Sequence, residues 1–299
     1  MKRWLAMILI LCASGAALYY SQRHKTETHV GPEAVLNAVA ETQREISRVP
    51  ARLTRLSDDD EIRIGDGMAQ NYLARRGPLS AGDLALENYI AGVGTTVSAR
   101  ARRKLDYRFH YIPAAYFVNA FALPGGHVFI GKGLLQLTKS EDELASVLGH
   151  EVEHIDNYHC NERVALQHLP LGELIALPVA LFQAGYSKEQ ELEADRDGAD
   201  LAVRAGYSPM GAIHLFQTFA RLDREHGSKA ESPAQDPGQE LSQVAIEGIE
   251  GYFRSHPLPA EREAQIRRIM TSENWPQPPE RTLRIRPEPG QSAAAKPQV

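Results

Sequence analysis

Cysteine is nearly missing from this chain: 299 residues hold two, Cys12 and Cys160. Cys12 falls in an N-terminal apolar run, so the folded part keeps one thiol, and one thiol cannot close an internal disulfide. Cys160 lies six positions past His154 and reads as a packing residue on the same helix rather than a nucleophile. A basic excess is missing too. The 33 Lys and Arg stand against 38 Asp and Glu, and the net charge of −5 leaves no footprint for a nucleic-acid partner. No internal repeat is visible. After residue 20 no stretch has the length and unbroken apolar character of a membrane span. The nearest, Leu169 to Phe182, is interrupted by Pro170 and Pro178. Pro124-Gly125-Gly126 is a turn and not a phosphate cradle, because no helix opens directly after it.

What is present is an ordinary globular composition, 43% hydrophobic, long enough for one large domain or two small ones. Residues 1–21 begin Met-Lys-Arg and continue without charge from Trp4 to Tyr20. A basic start, an apolar middle and small residues at Ser14 to Ala17 suit an export signal. Seventeen apolar residues also reach the lower limit for a spanning anchor, and both readings stand. Either places the body across a membrane, in a bacterial-type periplasm. Residues 22–57 read as a linker or amphipathic segment.

From Asp58 the pattern turns helical, with an acidic start at Asp58 to Glu61 that complements the helix dipole. Helices are predicted at about 59–75 and 80–101. Three short strands follow, at 107–112, 116–123 and 127–131, and make a small antiparallel sheet. Ser140 and Glu143 form a capping box for a helix running to about 165, with Leu144, Val147, Leu148, Val152 and Ile155 as its apolar stripe. Residues 166–187 suit a buried hairpin or a flap near the site, with a partly membrane-inserted loop as the alternative. Further helices are predicted at 189–204, at 209–224 behind Ser208 and Pro209, and at 260–271. Residues 226–240 read as a mobile loop, and the proline-rich end from 275 as a disordered tail. The fold class is α+β, mainly helical, with the sheet beside the 140–165 helix.

That helix carries His150-Glu151-Val152-Glu153-His154. His150 and His154 are four apart and project from one face. Two imidazoles so placed can hold a zinc ion, with Glu151 as general base on a metal-bound water. A hydrolytic zinc site takes three protein ligands, so a third must come from another helix. Glu191-Leu192-Glu193-Ala194-Asp195 is the strongest source. Glu191 and Asp195 share a face, Glu191 as ligand and Asp195 as acceptor for the far nitrogen of a ligating histidine. Glu193 points elsewhere, toward solvent. Nothing in the spacing of His127, His159 and His168 marks them as ligands.

These motifs, with Asn119 to Gly126 before them and Ser255-His256-Pro257 after, resemble one family. It is the zinc metallopeptidase family of the CaaX prenyl protease, HtpX and the periplasmic protease BepA. The likeness covers roughly residues 58–270, within a metallopeptidase domain taken as 58–274, and is closest in layout to BepA-like catalytic domains without the repeat domain. It implies a zincin-like fold, one Zn2+ per chain held by His150, His154 and Glu191, and Asp195 behind them. His256 matches the histidine that approaches the metal in relatives. Two roles for it stand: a donor to the developing oxyanion, or a fourth ligand that keeps the site shut, as in a latent or chaperone-like zinc-binding factor. The implied reaction is endoproteolysis of misfolded or membrane-associated envelope proteins, a protein quality-control role. An extended peptide would bind along an edge made by His127, Val128 and Phe129, with Asn119 orienting it.

Overall fold

In the computed structural model, which describes residues 55–227 except 168, 178 and 184, together with 256 and 260–287, Ser57 and Ser80 open the first two helices. Ser57 Oγ accepts from Asp60 N at 3.1 Å at the head of α1 (Asp58–Arg76). Ser80 Oγ accepts from Asp83 N, also at 3.1 Å, at the head of α2 (Ala81–Ser98). Each serine satisfies an otherwise orphaned N–H of a first turn. The acidic first turn of α1 and its closing Arg75 and Arg76 both suit the helix dipole. The N-terminal apolar run, the segment 22–54, the predicted loop past 227 and the tail past 287 lie outside the described residues. Among the described residues no helix is long and apolar enough to cross a membrane.

The strands are β1 (Arg108–Ile112), β2 (Ala120–Leu123) and β3 (His127–Gly131). Gly125 and Gly126 turn the chain between β2 and β3 with φ of 76° and 109°, a region open to glycine. The hairpin so made is antiparallel, but β1 lies on the far side of β3 and runs parallel to it. The sheet order is β1-β3-β2. The sheet is therefore mixed, where sequence reading gives an antiparallel one. Periodicity reports strands, not partners, and the 113–119 connection crosses β3, so β1 pairs with β3 and not with β2.

After α3 (Lys132–Leu137) comes the central helix α4 (Glu141–Asp156), every residue of which is buried. Ser140 Oγ accepts from Glu143 N at 3.1 Å, and Glu143 reaches back to Lys139 N at 2.8 Å. The predicted continuation to 165 is broken. Tyr158 takes φ of 65°, and α5 (His159–Ala165) starts in a new direction. A tyrosine in this conformation carries strain of about 1 kcal/mol or more. Its ring is held between the guanidinium groups of Arg55 and Arg103, at 3.9 and 4.0 Å. The 169–183 stretch is built from α6 (Leu171–Leu174) and a 3-10 turn at Val179–Leu181, and it buries Leu174, Val179 and Phe182 in the core.

Helix α7 (Lys188–Arg204) opens on a complete capping box of Ser187 and Gln190. It crosses α4 backbone to backbone: a Cβ on Gly149 would stand 2.5 Å from Gly198 O, and one on Gly198 would stand 2.6 Å from His150 N. Helices α8 (Met210–Gly227) and α9 (Ala260–Ser272) complete the described body. Residues 275–287, predicted as disordered, are packed. Trp275 and Leu283 are buried, and Arg281 O accepts from Glu141 N at 2.8 Å. Arg281 N donates to the buried Asp142. The free N–H at the start of α4 gives this proline-rich segment a partner that its own sequence does not reveal. The architecture is α+β and mainly helical.

Candidate metal centre

The close crossing at Gly149 and Gly198 brings the acidic face of α7 onto the histidine face of α4. His150 Nε2 and His154 Nε2 lie 3.1 Å apart. Glu191 Oε2 stands 3.4 Å from the first and Glu191 Oε1 3.6 Å from the second. His256 enters the same space, its Nδ1 3.1 Å from Glu191 Oε2 and 3.3 Å from His150 Nε2. One donor atom from each of His150, His154, Glu191 and His256 lies within 4.8 Å of the others, and all four residues are buried. Glu151 Oε1 sits 3.6 Å from His256 Nε2.

Two observations test whether these residues fit a metal. Glu191 Oε1 and Glu151 Oε2 are buried with no hydrogen-bond partner, and an unpaired buried carboxylate oxygen is costly unless something cationic faces it. The charges agree. Burial opposes a charge on His150, yet hydrogen bonds and charge from Asp195 and Glu191 hold its pKa up to about 10. The cluster favours a cation, whether a proton or a metal ion. Glu191 stays well below the usual carboxylate range although burial opposes its charge, because His256 and His150 face it. His154 is pushed well down by burial and stays neutral, the form a ligand needs. A pair of imidazoles and one carboxylate, with a fourth donor in His256, suits zinc.

The histidines are held from behind. Asp195 Oδ1 accepts from His150 Nδ1 at 2.9 Å, which turns Nε2 into the cluster. Asp195 is itself clamped by Arg262, whose Nη2 donates to Oδ1 at 2.6 Å and whose Nε donates to Oδ2. Tyr186 stacks on the His154 ring at 4.0 Å. His154 Nδ1 meets His159 Nδ1 at 2.9 Å, and His159 Nε2 meets Glu193 Oε2 at 3.3 Å. Glu193 is thus no solvated acid; its side chain is 14% exposed and turned to His159. Sequence reading misses Arg262, His159, Glu193 and Tyr186. Arg262 carries no signal beyond a helical position. The position of His159 behind His154 is missed because the break at Tyr158 is invisible to periodicity.

The structure joins His150, Glu151, His154, Glu191, Asp195 and His256 into one site. It does not bring the predicted peptide edge there. β3 is the central strand, bonded on both sides, and Val128 and Phe129 are core. His127 instead pairs with Asp66 at 2.8 Å and with His110 at 3.0 Å. Asn119 is buried at the head of β2, its carbonyl bonded to Gly131 N. The edge facing the cluster is β2, where Ala120 O faces His256 Nε2 at 3.4 Å and Ala122 O faces Cys160 Sγ at 3.6 Å. Burial pushes the Cys160 thiol up to about 12, which rules out a thiolate nucleophile at neutral pH.

The model of peptidase family M48 matches residues 85–180 and 170–270. The chain belongs to peptidase family M48. Among curated members, the mitochondrial metalloendopeptidase OMA1 of Schizosaccharomyces pombe is 31% identical over 182 residues, 53% of this chain and 49% of that protein. The beta-barrel assembly-enhancing protease of Yersinia pestis is 31% identical over 193 residues, 56% of this chain and 39% of the relative. A putative beta-barrel assembly-enhancing protease of Vibrio cholerae is 28% identical over 232 residues, 69% and 43% of the two chains. The chain spans about half the length, or less, of these M48 relatives.

Proposed function

We propose that this chain is a zinc-dependent endopeptidase in which His150, His154 and Glu191 hold one zinc ion. The observation that carries it is the buried cluster of these residues with His256, in which Glu191 Oε1 and Glu151 Oε2 have no hydrogen-bond partner. Zinc when bound supplies a Lewis acid that acidifies water and polarises a carbonyl. Glu151 is the general base. Its carboxyl is pushed up by burial, although His256 and His150 pull it back. A raised carboxyl pKa suits a group that takes a proton from water and hands it to the leaving amine. Asp195 and Arg262 keep His150 turned inward throughout. The peptide runs along β2, whose outward carbonyls belong to Ala120 and Ala122, with Asn119 at its head. Residues 1–20 and the names of the bacterial relatives support an exported protein that acts on unfolded or membrane-associated envelope proteins.

The test is cleavage of casein by the full chain. Glu151→Gln keeps its zinc and loses proteolysis by a factor of 100 or more, the order expected for a lost general base. Equal cleavage by wild type and variant sinks the proposal.

One observation favours a second, compatible reading. His256 covers both the cluster and the Ala120 carbonyl of the edge strand. A latent enzyme, shut by His256, follows. In that case His256→Ala cleaves casein and wild type does not; a variant that loses activity instead makes His256 a donor to the oxyanion.

A further inference from the structure

Two ligand histidines need two supports, and the site shows two different ones. His150 is held by a carboxylate, Asp195. His154 has no carboxylate behind it. Its Nδ1 faces another imidazole nitrogen, His159 Nδ1, at 2.9 Å. Two ring nitrogens can bond only if one carries the proton and the other accepts it. The far end of the chain decides which. His159 Nε2 faces Glu193 Oε2 at 3.3 Å, and an ionised carboxylate only accepts. His159 therefore carries its proton on Nε2 and accepts through Nδ1. His154 must then donate from Nδ1, which leaves the Nε2 lone pair directed at Glu191 and His150.

The backbone is arranged for this contact. On an unbroken helix, His159 at five positions past His154 would lie about 140° around the axis and could not reach it. The left-handed turn at Tyr158 folds α5 back and lays His159 against His154. Both residues are buried, and Tyr186 stacks on the His154 ring at 17° to its plane. Arg196 lies 3.7 Å from the other Glu193 oxygen, Oε1.

We propose, resting on the zinc reading above, that His159 and Glu193 form a positioning relay. Glu193 fixes the tautomer of His159, and His159 fixes His154 as a ligand through Nε2. Both are positioning residues, since neither lies among the donor atoms that face one another in the cluster. Helix α7 thereby serves the site three times, with Glu191 as ligand, Asp195 behind one histidine and Glu193 behind the other.

The experiment measures zinc affinity of the full chain by competition with a chromophoric chelator, and the d–d spectrum of the cobalt-substituted protein. The variants are His159→Leu, Glu193→Ala, the double variant and His159→Asn. His159→Leu and Glu193→Ala each lose roughly 10- to 100-fold in affinity, as removed outer-shell partners do, and shift the cobalt bands. The double variant is no weaker than His159→Leu, because Glu193 acts only through His159. His159→Asn returns an acceptor near the Nδ1 position and recovers part of the loss. Glu193 is half-buried, so Glu193→Ala keeps the test alive if His159→Leu fails to fold. Wild-type affinity and an unchanged cobalt spectrum in Glu193→Ala overturn the relay, as do losses that simply add in the double variant. A wild-type chain that binds no zinc overturns the zinc reading itself, and the two failures are told apart by that control.

Discussion

A single buried guanidinium decides how firmly His150 is held. Arg262 is 1% exposed and grips both oxygens of Asp195, the two-pronged geometry that suits a carboxylate. Replacing it by Leu leaves Asp195 buried without its main counter-charge. The expected loss is about 3–5 kcal/mol, the range for breaking a buried pair from one side, read by denaturant titration. Arg262→Lys should fall between, since an ammonium keeps the charge and loses the fork. A loss within the noise for Arg262→Leu would mean that another cation covers Asp195. A second residue makes a pH prediction away from the cluster. His110 is pushed down to about 3, first by burial and then by His127, Arg76 and Arg108. A histidine depressed in the fold stays neutral there while the unfolded chain takes a proton below about 6.5. Stability is therefore full above that pH and falls as pH drops from 6.5 toward 3, by roughly 2 kcal/mol at pH 5. The measurement is the difference in unfolding free energy between pH 7 and pH 5, compared with His110→Gln. That variant keeps a donor for His127 and removes the titration, so an equal pH effect in both proteins excludes His110 as its source.

At the scale of elements, the crossing of α4 and α7 makes the site. Alanine normally stabilises a helix over glycine by roughly 0.5–1 kcal/mol. At Gly198 the new Cβ would meet His150 N at 2.6 Å, so Gly198→Ala should instead destabilise the fold and weaken zinc binding together. Gly92→Ala, on α2 with nothing within 4 Å, is the control and should raise the melting temperature. If both behave alike, the two helices are not held at contact distance. The head of α4 was legible in the chain because a cap is local chemistry, and Ser140 sits one residue before that helix; Ser57, Ser80 and Ser187 cap their helices in the same way. The break at Tyr158 was not legible. Its ring is packed by Arg55 and Arg103, which are remote in sequence. The parallel partner of β1 was hidden for the same reason, since alternation is identical in either direction of pairing.

For the whole molecule, the metal site and the fold are linked. The donors come from α4, α7 and the segment carrying His256, so an ion that binds them ties these parts together. Zinc bound only by the folded state stabilises by RT ln(1 + [Zn]/Kd), about 4 kcal/mol at a thousandfold excess over Kd. Chelation should lower the melting temperature of wild type and leave that of His150→Gln unchanged. A melting temperature indifferent to chelator would place the ion outside the folding equilibrium. By itself the sequence determined which side chains share a helix face. His150 falls with His154 and Glu191 with Asp195 because a spacing of four on a helix is a geometric statement, and the serine-capped head of α4 and the short strands were readable on the same local grounds. Tertiary structure decided everything that depends on which faces meet. It made β3 central and gave β2 the edge. It set Arg262 behind Asp195, bent His159 back onto His154 and pinned residues 275–287 to the head of α4. Those outcomes follow from contacts between residues far apart in the chain, and local pattern carries no record of them.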